Sequence, residues 1–567
     1  MRNYFKKGVC LISSLFFLFA NAQQKNYPQG YFRNPLNIKM ELVANFGELR
    51  SNHWHMGLDI RTQRKENLPV FAAAEGFVSR IKIEPGGFGR AIYIDHPNGL
   101  TTLYAHLNAF NPVLDKWVKS EQYRLESWAV ELTVPPNMFP VKKGSFIAFS
   151  GNTGGSQGPH VHFEIRETKT EKCLNPMLFG FPIPDAVAPS LIRLAMYNRN
   201  RSINVQAPQL MALKKVGSTY SLAQSNLVKV GTDKVSFAIG AVDRFSGYTN
   251  PNGIYSARIL LDGELQSEFI LDRIGYDETR YMNAQIDYRY KYKGGPYLQH
   301  ISRMPGDITS IYTSTNTEGV IHLKDEEPHV VKIETRDAAQ NLSVLQFNLQ
   351  YNSSLPAPSP ASIYETWSPN FVNVFESENF EAFTTERSIY DTLPVSHSVV
   401  EASSVKAIGK VNIFMSPAIP LHESYIVRIK ADRALTDEER NCTVILNTAG
   451  TRKTVVKAKW QGDWAWAPFR QFGTYQAFVD DEPPMLNAVP ADLSKSSRIV
   501  FTPKDNFNAI KNFRAEVDGK WLCFTNDKGR SWIYKFDENF PRGKHELKIS
   551  VEDEAGNVTI KTWNVTR

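Results

Sequence analysis

Short apolar stretches with strand-like alternation, separated by glycine and proline turns, make up most of this chain. Gly76–Ile83 is one example, residues 91–94 are another, and Gly86-Gly87 and Asn98-Gly99 supply turns beside them. Because alternate side chains of a strand face opposite sides, such strands bury their apolar face only by joining sheets. The pattern therefore predicts a mainly β fold.

The chain has 567 residues, which is too many for one hydrophobic core, so several domains are expected. The character changes after Pro182-Ile183-Pro184, where β-rich segments follow one another. We expect an N-terminal domain at 35–182, β-sandwich modules at 185–351 and 480–567, and a further β-rich module at 360–479. The run at 353–362, rich in proline and serine, is a plausible linker.

Two of these segments contain the same turn-forming Asp, Pro, Gly and Asn residues in the same order. The first contains Asp185, Pro189, Asp243, Asp262-Gly263, Asp337 and Asn341, and the last contains Asp480, Pro484, Asp505, Asp518-Gly519, Asp553 and Asn557. This agreement predicts two copies of one immunoglobulin-like sandwich. Turn chemistry of the Asp and Asn side chains is the favoured explanation of the endings, and calcium binding is the alternative.

The N-terminus has the pattern of a secretory signal peptide. Arg2, Lys6 and Lys7 precede an apolar run at 8–19, and Ala20-Asn21-Ala22 forms a cleavage site. A membrane anchor is the alternative, but the apolar run is short for spanning a bilayer, and no later stretch is apolar enough. We expect residues 1–22 to be removed, with export to the periplasm or cell envelope, or secretion, and no integral membrane segment afterwards.

Charge and cysteine content exclude other classes of function. The formal net charge of +7 is a mild basic bias over this length, and no dense Lys/Arg cluster predicts nucleic acid as a partner. The bias is compatible with an acidic polymer or an envelope surface. Cys173, Cys442 and Cys523 are too scattered for a disulfide framework or a zinc finger, and buried small side chains are the expected role.

Histidines are concentrated before residue 165, in suggestive spacings. His55 and Asp59 form H-x-x-x-D, His106 lies among apolar neighbours, and His160 and His162 form H-x-H. Alternate residues of a strand face the same side, so both imidazoles of H-x-H are available to one site. Two imidazoles and one carboxylate suit zinc, and three protein ligands leave the fourth position open for catalysis. A helical H-E-x-x-H is absent from the sequence, which excludes a thermolysin-type site.

These residues, with the motifs around them, resemble the lysostaphin/LytM-type zinc metallopeptidases, which are murein endopeptidases with a small antiparallel β fold. The resemblance is carried by residues 45–50, His55-x-Gly57-x-Asp59, Pro69-Val70, Ala74-x-Gly76-x-Val78, Tyr104-x-His106-Leu107, Lys143-Gly144, Gly151-x-Thr153-Gly154, Gly158-Pro159-His160-x-His162-Phe163-Glu164 and Asn175-Pro176. It covers about a quarter of the chain, and it implies a secreted zinc metalloendopeptidase that hydrolyses peptide crosslinks of peptidoglycan.

The resemblance also implies roles for individual residues. His55, Asp59 and His162 match the family's ligands for a single zinc ion, and His106 and His160 match its catalytic histidines. His160 is the expected general base and His106 the expected stabiliser of the oxyanion. Glu164 is expected at most to support a ligand. Of the extra histidines His53 and His96, His53 is a candidate for supporting a ligand, but a role in a loop is favoured, and no role in the site is assigned to His96.

One departure from the family lies between Leu107 and Val141, where the family has a short turn. Here an insertion at about 109–140 carries Leu114, Trp117, Val118, Leu125 and Trp128 at helical spacing, which predicts a helix near 112–126 beside the substrate groove.

Two other functions remain open. The first is an inactive peptidase-like scaffold that binds the wall or regulates other wall hydrolases, and the second is a structural envelope protein. For the cluster of Trp460, Trp464 and Trp466, packing in a sandwich is favoured over glycan binding.

Overall fold

The computed structural model describes residues 27–356, 365–401, 404 and 406–567. The predicted signal peptide at 1–22 lies outside these residues. The described chain is mainly β, as predicted, and its strands form antiparallel sheets with few exceptions. No helix in the described part combines the length and the apolar character that crossing a membrane requires.

The N-terminal part is built on one antiparallel sheet with His160–Glu167 near its centre. Across the sheet the strands are Leu42–Ala44, Leu58–Arg61, His160–Glu167, Leu100–Ala105, Arg90–Asp95, Gly76–Ile83 and Val130–Thr133, with Pro140–Val141 and Cys173–Leu174 paired beside them. Pro69–Phe71, Phe146–Phe149 and Ala109–Phe110 form a second sheet, Leu49–Arg50 and His53–Trp54 form a hairpin, and Pro176–Phe179 is a 3-10 helix.

The apolar residues of two neighbouring strands decide which way the polar ones point. Leu58 and Ile60 are fully buried, as are Val161 and Phe163 on the strand beside them. Side chains alternate along a strand, so Asp59 and the two histidines of H-x-H are directed to the opposite face. Packing of the core therefore places one carboxylate and two imidazoles on a single face.

The predicted helix is present as Pro112–Leu125. It begins after Asn111, whose side chain accepts a hydrogen bond of 3.0 Å from the backbone of Leu114. Proline at the first helical position suits this start, because its missing N–H has no partner there. The helix ends where Glu126 takes a left-handed conformation.

The next part of the chain is a large set of strands with short helical turns. The strands are Ser190–Asn198, Gln209–Val216, Thr219–Leu222, Leu227–Val230, Lys234–Val242, Ser256–Leu261, Glu264–Ile270, Arg273–Ile274, Gln299–His300, Tyr312–Ser314, Ile321–His322, His329–Arg336 and Leu342–Tyr351. The 3-10 helices are Ile203–Val205 and Thr279–Tyr281, and the α-helices are Met282–Gln285 and Tyr288–Tyr292. This part is joined to the N-terminal sheet, because Arg273–Ile274 pairs with Cys173–Leu174.

Two five-stranded antiparallel sheets follow. The first contains Val374–Glu376, Phe380–Phe383, Tyr425–Lys430, Trp464–Phe469 and Lys459–Gln461, and the second contains His397–Val400, Val411–Phe414, Gly473–Val479, Thr443–Ala449 and Arg452–Lys457. Thr366–Trp367 pairs with Leu393–Pro394, and Asp437–Asn441 is a short helix. The last part has the strands Arg498–Phe501, Ile510–Val517, Lys520–Trp521, Trp532–Lys535, Lys544–Asp553 and Val558–Thr566.

Within the tryptophan cluster, Trp460 is partly buried and packs against the core of its module, whereas Trp464 and Trp466 lie on the outer face of a sheet. Trp464 and Trp466 alternate with fully buried alanines, so both rings face outward. The guanidinium of Arg428 lies 5.1 Å from the ring of Trp464, and that of Arg440 lies 4.6 Å from the ring of Trp460. The expected packing in a sandwich is therefore confirmed for Trp460 at the core and for Trp464 and Trp466 on a strand.

The segments 185–351 and 480–567, which contain the same turn-forming residues in the same order, also share hydrogen bonds. Asp262 takes a left-handed conformation and places Oδ2 2.7 Å from Nδ1 of His329. In the last part of the chain Asp518 takes the same conformation and places Oδ2 2.6 Å from Nδ1 of His545. Equivalent hydrogen bonds at equivalent positions are what two copies of one fold predict.

Within the described residues, Cys173, Cys442 and Cys523 carry free thiols. Cys173 is buried, whereas Cys442 and Cys523 are partly exposed. Burial raises the pKa of Cys173 well above its ordinary value, and the nearby Glu164 carboxylate adds to the shift. A thiol held neutral in this way has little nucleophilic character.

Candidate metal centre

The three predicted ligands lie on or beside two paired strands. Asp59 and His162 are directly opposite one another in the antiparallel pair formed by Leu58–Arg61 and His160–Glu167. Residues opposite each other across such a pair have neighbouring side chains. His55 follows the short strand His53–Trp54, and only three residues separate it from Asp59.

The three side chains direct one donor atom each to a common point. His55 Nε2, Asp59 Oδ1 and His162 Nδ1 lie 3.0 Å from one another in every pair. The three residues are 6–7% exposed. Tetrahedral zinc with bonds of 2.0–2.1 Å separates two ligand atoms by about 3.3 Å, so the spacing fits one zinc ion.

The outer hydrogen bonds of the two imidazoles fix which nitrogen faces inward. His55 Nδ1 lies 2.8 Å from the carbonyl oxygen of Asn45, and His162 Nε2 lies 2.8 Å from Oε1 of Glu164. Because each outer nitrogen donates a proton to an oxygen, each inner nitrogen presents a lone pair. Two lone pairs and a carboxylate oxygen at 3.0 Å repel one another unless a cation or a proton lies between them.

The electrostatics of the site favour a cation. Burial alone raises the pKa of Asp59, but the neighbouring His55 and hydrogen bonds from three histidines hold it well below its ordinary value. Burial alone lowers the pKa of His162, yet hydrogen bonds to Asp59 and Glu164 outweigh it and raise the pKa to about 9. At neutral pH His162 therefore carries a proton on its inner nitrogen, and a divalent cation bound by the same donor atoms would displace that proton.

The other two predicted histidines lie beside the triad. The ring centroids of His106 and His160 are 4.7 Å apart, and His160 Nε2 lies 3.3 Å from Asp59 Oδ1. His106 Nδ1 lies 2.9 Å from the carbonyl oxygen of Thr153, and His160 Nδ1 lies 2.8 Å from that of Gly158. Both rings therefore hold their outer nitrogen on the backbone and leave Nε2 for other partners, an arrangement that does not by itself separate their roles.

His106 is an uncharged ring in this environment. Burial lowers its pKa to about 3, and the neighbouring His160 and His162 contribute to the shift. With Nδ1 donating to Thr153, the neutral ring presents a lone pair at Nε2. His106 also has a left-handed backbone, with φ 58°, at the end of the strand Leu100–Ala105.

Two glycines allow the loop before H-x-H to lie close to the sheet. Gly154 has φ 66° and Gly89 has φ 64°, in the region that favours glycine. A Cβ atom on Gly154 would come within 2.2 Å of the backbone nitrogen of Gly89. Only glycine is compatible with this approach, which fixes the loop that carries Thr153 and leads to His160.

A buried polar cluster supports His162 from behind. Glu164 has no exposed surface, and its carboxylate also accepts a hydrogen bond of 2.7 Å from Nε of Arg166 and one from the hydroxyl of Tyr276. Burial opposes ionisation, but Arg166 together with the hydrogen bonds from His162 and Tyr276 lowers the pKa of Glu164 to about 2. The side chain of Glu164 thus lies on the ligand face and supports His162.

Sequence reasoning missed two contributors to this site. Tyr276 comes from the second part of the chain, and no spacing relates it to Glu164. Arg50 lies 3.5 Å from the second carboxylate oxygen of Asp59 and 3.1 Å from Glu48. Glu48 and Arg50 belong to the matched segment 45–50, which is the signal that points to this contact.

The remaining histidines of the N-terminal part lie outside the donor set. His53 is exposed, with Nδ1 2.9 Å from the carbonyl oxygen of Ser51. His96 is buried, with contacts of 2.6 Å to the carbonyl oxygen of Glu75 and 2.8 Å to the hydroxyl of Thr102. Both contacts are structural, in keeping with the expectation for these two residues.

The insertion packs against the last part of the chain. The ring of Tyr123 meets Trp521 edge-on at 5.2 Å, and Lys119 Nζ lies 2.8 Å from Asp537. Lys528 reaches further and donates hydrogen bonds to the carbonyl oxygens of Gly154, at 2.9 Å, and Ser156, at 2.7 Å. The C-terminal part thus contacts the loop that leads to His160.

A cavity of about 290 Å³ lies between the insertion and the last part of the chain. Its lining includes Arg90, Asn108 and Thr153 from the N-terminal part, Trp128 from the insertion and Asp527 from the C-terminal part. Thr153 also accepts the hydrogen bond of His106, so the cavity adjoins the histidine cluster.

An antiparallel sheet that buries a two-histidine, one-carboxylate donor set beside two further histidines defines a domain of the metallopeptidase class. Residues 53–123 match the model of peptidase family M23, and the N-terminal part of this chain is a domain of that family, as the resemblance predicted. Residues 365–480 match the model of the Zu5-like domain.

Individual relatives agree with the family match. The chain is 32% identical over 152 residues to DD-carboxypeptidase/endopeptidase Mpg of Neisseria meningitidis, a match that covers 27% of each protein. It is 29% identical over 170 residues to an uncharacterized metalloprotease of Haemophilus influenzae, covering 29% of this chain and 30% of that protein. The match thus spans less than a third of the length of these curated relatives.

A solved structure gives a further likeness. The catalytic domain of the antimicrobial peptidase lysostaphin from Staphylococcus simulans is 23% identical, and the match covers 25% of this chain and 91% of that one, with a TM-score of 0.18.

Proposed function

We propose that this protein is an exported zinc metalloendopeptidase that hydrolyses peptide crosslinks of bacterial peptidoglycan. The observation that carries the proposal is the convergence of His55 Nε2, Asp59 Oδ1 and His162 Nδ1 at 3.0 Å, with both inner nitrogens presenting lone pairs. Three protein ligands leave one coordination position for water or substrate, as catalytic zinc requires.

The substrate class is supported by the relatives and by the chain itself. The Neisseria relative is named a DD-carboxypeptidase/endopeptidase, and the family resemblance implies peptides of the bacterial wall. The signal-peptide pattern at 1–22 supports export, and the basic charge of +7 suits an acidic polymer. We propose the division 35–182, 185–351, 360–479 and 480–567 for the domains of the exported chain.

The metal would be held by His55, Asp59 and His162. Zinc in such a site acts as a Lewis acid and lowers the pKa of water to about 7. Asn45 and Glu164 hold the two imidazole ligands in the tautomers that present lone pairs. This orientation comes from buried hydrogen bonds, so it is set before substrate arrives.

His160 and His106 would handle protons beside the metal. His160 Nε2 lies 3.3 Å from Asp59 Oδ1, which brings it next to the open side of the donor set, and we assign it as the general base. The ring centroid of His106 lies 4.7 Å from that of His160 and 5.9 Å from that of His162, and we assign His106 to the developing oxyanion. Because the neutral ring of His106 presents a lone pair at Nε2, this second role requires the ring to carry an additional proton during the reaction.

The competing function is an inactive peptidase-like scaffold that binds the wall or regulates other hydrolases. An inactive scaffold has no need to keep its ligands or its catalytic histidines. All five positions are filled here and their side chains are gathered into one site, which favours an active enzyme over a scaffold.

Digestion of purified sacculi tests the proposal. The mature protein, with zinc, is expected to release soluble muropeptides, and a chelator is expected to stop the release. His162→Ala is expected to lose both activity and bound zinc, whereas His53→Ala, two residues from a ligand but outside the donor set, is the matched control. Circular dichroism of each variant checks that the fold persists.

Two outcomes would contradict the proposal. Release of fragments by folded His162→Ala would show that the ligand assignment is wrong. A wild-type protein that binds one zinc ion but releases nothing from sacculi of any wall chemotype would favour the scaffold.

A further inference from the structure

An acidic cluster lies outside the peptidase site, in the first sandwich module. One carboxylate oxygen from each of Asp185, Asp243 and Asp337 lies within 4.8 Å of the other two. Asp243 is 1% exposed and Asp337 is 2% exposed. Like charges so close together are costly in a buried setting, and burial together with Asp337 and Asp185 raises the pKa of Asp243 to about 8.

Turn chemistry, the favoured explanation from sequence, accounts for part of this cluster. Asp337 accepts hydrogen bonds from the backbone of Asn341, at 2.9 Å, and from its side chain, at 2.7 Å. Asp185 Oδ1 accepts from the backbone of Val187 at 3.0 Å. Within the described part of the chain, however, Asp243 Oδ1 and Asp185 Oδ2 are buried without a hydrogen-bond partner. Turns therefore leave two buried carboxylate oxygens unexplained.

An amide oxygen next to the cluster is unexplained as well. Asn252 is 4% exposed, and its Oδ1 has no partner among the described residues. The backbones of Asn252 and Asp243 exchange two hydrogen bonds, of 2.9 and 3.0 Å. Residues paired in this way present their side chains on one face of the pair, so the amide of Asn252 lies beside the carboxylate of Asp243.

The other copy of the sandwich repeats the arrangement. One oxygen from each of Asp480, Asp505 and Asp553 lies within 4.8 Å of the other two. In the order of the shared turn-forming residues, these three correspond to Asp185, Asp243 and Asp337. Here too a carboxylate oxygen, Asp505 Oδ1, is buried without a partner in the described chain. Because both copies of the sandwich contain an aspartate cluster with an unpartnered carboxylate oxygen, we attribute these oxygens to the cluster itself.

We propose that each cluster binds a calcium ion, and that the first ion, held by Asp185, Asp243, Asp337 and Asn252, fixes the loop that supports the zinc ligand His55. Carboxylates and an amide carbonyl form an all-oxygen donor set, which suits a hard cation and lacks the nitrogen or sulfur that selects zinc. Calcium bonds of 2.3–2.6 Å allow ligand atoms on one ion to lie up to about 5 Å apart, which accommodates the 4.8 Å spread.

The connection to the peptidase site runs through consecutive hydrogen bonds. Gly253, next to Asn252, donates its N–H to Asn45 Oδ1 at 2.9 Å and accepts from Asn45 Nδ2 at 2.8 Å. The carbonyl oxygen of Asn45 in turn holds Nδ1 of His55 at 2.8 Å. Phe245, from the same loop, packs in the core of the N-terminal part. A cation that ties Asp243 to Asn252 therefore restrains the segment on which the orientation of His55 depends.

Calcium titration of the zinc-loaded, full-length mature protein tests this inference. Isothermal titration is expected to count two calcium ions per chain, with dissociation constants at or below about 1 mM, and millimolar calcium is expected to raise the melting temperature. Magnesium at the same concentration is expected to bind more weakly, because it requires a tighter octahedral shell.

Substitutions that keep the shape of the side chain separate the two sites. Asp243→Asn and Asp505→Asn are each expected to reduce the count from two ions to one, and the double variant to zero. Asp432→Asn, at an exposed position outside both clusters, is the matched control and is expected to keep two. Without calcium, Asp243→Asn is expected to melt at a higher temperature than wild type, because it replaces a carboxyl group that must take up a proton to be buried beside two other carboxyl groups.

The release of zinc to a colorimetric chelator tests the coupling to His55. Calcium is expected to slow the release at least threefold in wild type and in Asp505→Asn, and to leave it unchanged in Asp243→Asn. This readout needs no peptidase activity, so it stands even if the sacculus assay fails. The calcium sites are refuted if wild type binds no calcium at 5 mM, if Asp243→Asn binds as many ions as wild type, or if Asp243→Asn melts at a lower temperature than wild type without calcium. Equal release rates with and without calcium in wild type would refute the coupling.

Discussion

Nε2 of His162 donates a hydrogen bond of 2.8 Å to Oε1 of Glu164, a carboxylate with no exposed surface. This bond decides the tautomer of the ring and directs the Nδ1 lone pair towards Asp59. The orientation of the ligand is thus set by a residue that does not itself reach the donor point. Loss of such an outer partner typically lowers metal affinity by 10- to 100-fold.

Glu164→Gln is therefore expected to weaken zinc binding by about 10- to 100-fold. The amide keeps the size of the side chain but offers one acceptor oxygen to the donors that surround Glu164. Competition with a fluorescent zinc chelator measures the change. Glu171→Gln is the control, because Glu171 also contacts Arg166 but is half exposed and does not touch His162. Unchanged affinity in Glu164→Gln would contradict the role assigned to this bond.

Tyr276→Phe tests how the second part of the chain contributes to the site. The substitution removes the hydroxyl that donates to Glu164 and keeps the ring. Glu164 retains its bonds to His162 and Arg166, so we expect zinc affinity to fall by less than about tenfold. Tyr292→Phe, an exposed tyrosine of the same part of the chain, is the control for the chelator assay. A loss as large as that of Glu164→Gln would show that Tyr276 does more than donate one bond.

Alanine at His160 or at His106 is expected to separate chemistry from metal binding. Neither side chain contributes to the three donor atoms, so each variant is expected to keep one zinc ion per chain. Loss of a positioned proton-transfer group costs about 10²- to 10⁴-fold in rate. Zinc content by atomic absorption and turnover of a crosslinked muropeptide measure the two effects together. A variant that loses zinc along with activity would instead assign that histidine to the metal.

The clustering of the three proposed ligands was predictable because it depends on local rules. His162 lies two residues from His160 on one strand, and His55 lies four residues before Asp59, so alternation and short spacing already bring these pairs together. The same alternation allows Glu164 to share the ligand face, and the structure places it there. The structure adds the register that places Asp59 opposite His162, which requires the fold of the whole N-terminal part.

Contacts between distant parts of the chain had no comparable signal. The apolar spacing predicted the helix Pro112–Leu125, yet it carries no information on the surface that the helix meets. Trp521 and Asp537, its partners, lie about 400 residues away, and Tyr276 reaches Glu164 across 112 residues. Such pairings depend on how folded parts dock, and one sequence does not encode docking as a pattern of spacing.

Lys528→Ala is expected to loosen the loop that leads to His160. The ammonium donates to the carbonyl oxygens of Gly154 and Ser156, and Ser156 Oγ lies 3.2 Å from His160 Nδ1. We expect kcat to fall by about two- to tenfold with zinc content unchanged, because a misplaced catalytic group costs rate without loss of the metal. Lys544→Ala, an exposed lysine of the same part of the chain, is the control. A rise in kcat would instead indicate that the C-terminal part restrains the enzyme.

The pH dependence of stability is expected to contain a contribution from His300. This residue is 1% exposed, and burial, with the charge of Arg199, lowers its pKa to about 3. The unfolded chain has a histidine pKa of about 6.5, so between pH 6.5 and 3 the unfolded state binds more protons at this position. The free energy of unfolding therefore falls as the pH drops below 6.5, by about 1.4 kcal/mol at pH 5.5 from this residue alone.

His300→Phe keeps a ring against Tyr197, whose centroid lies 4.9 Å from that of His300, and removes the titrating group. We expect the loss of stability between pH 7.5 and pH 5.5 to be smaller in the variant than in wild type by about 1.4 kcal/mol. Urea unfolding followed by tryptophan fluorescence, with zinc and calcium held constant, measures the difference at both pH values. His322→Ala is the matched control, because His322 is exposed. The same loss in wild type and His300→Phe would mean that the buried imidazole takes up its proton without cost, contrary to its surroundings.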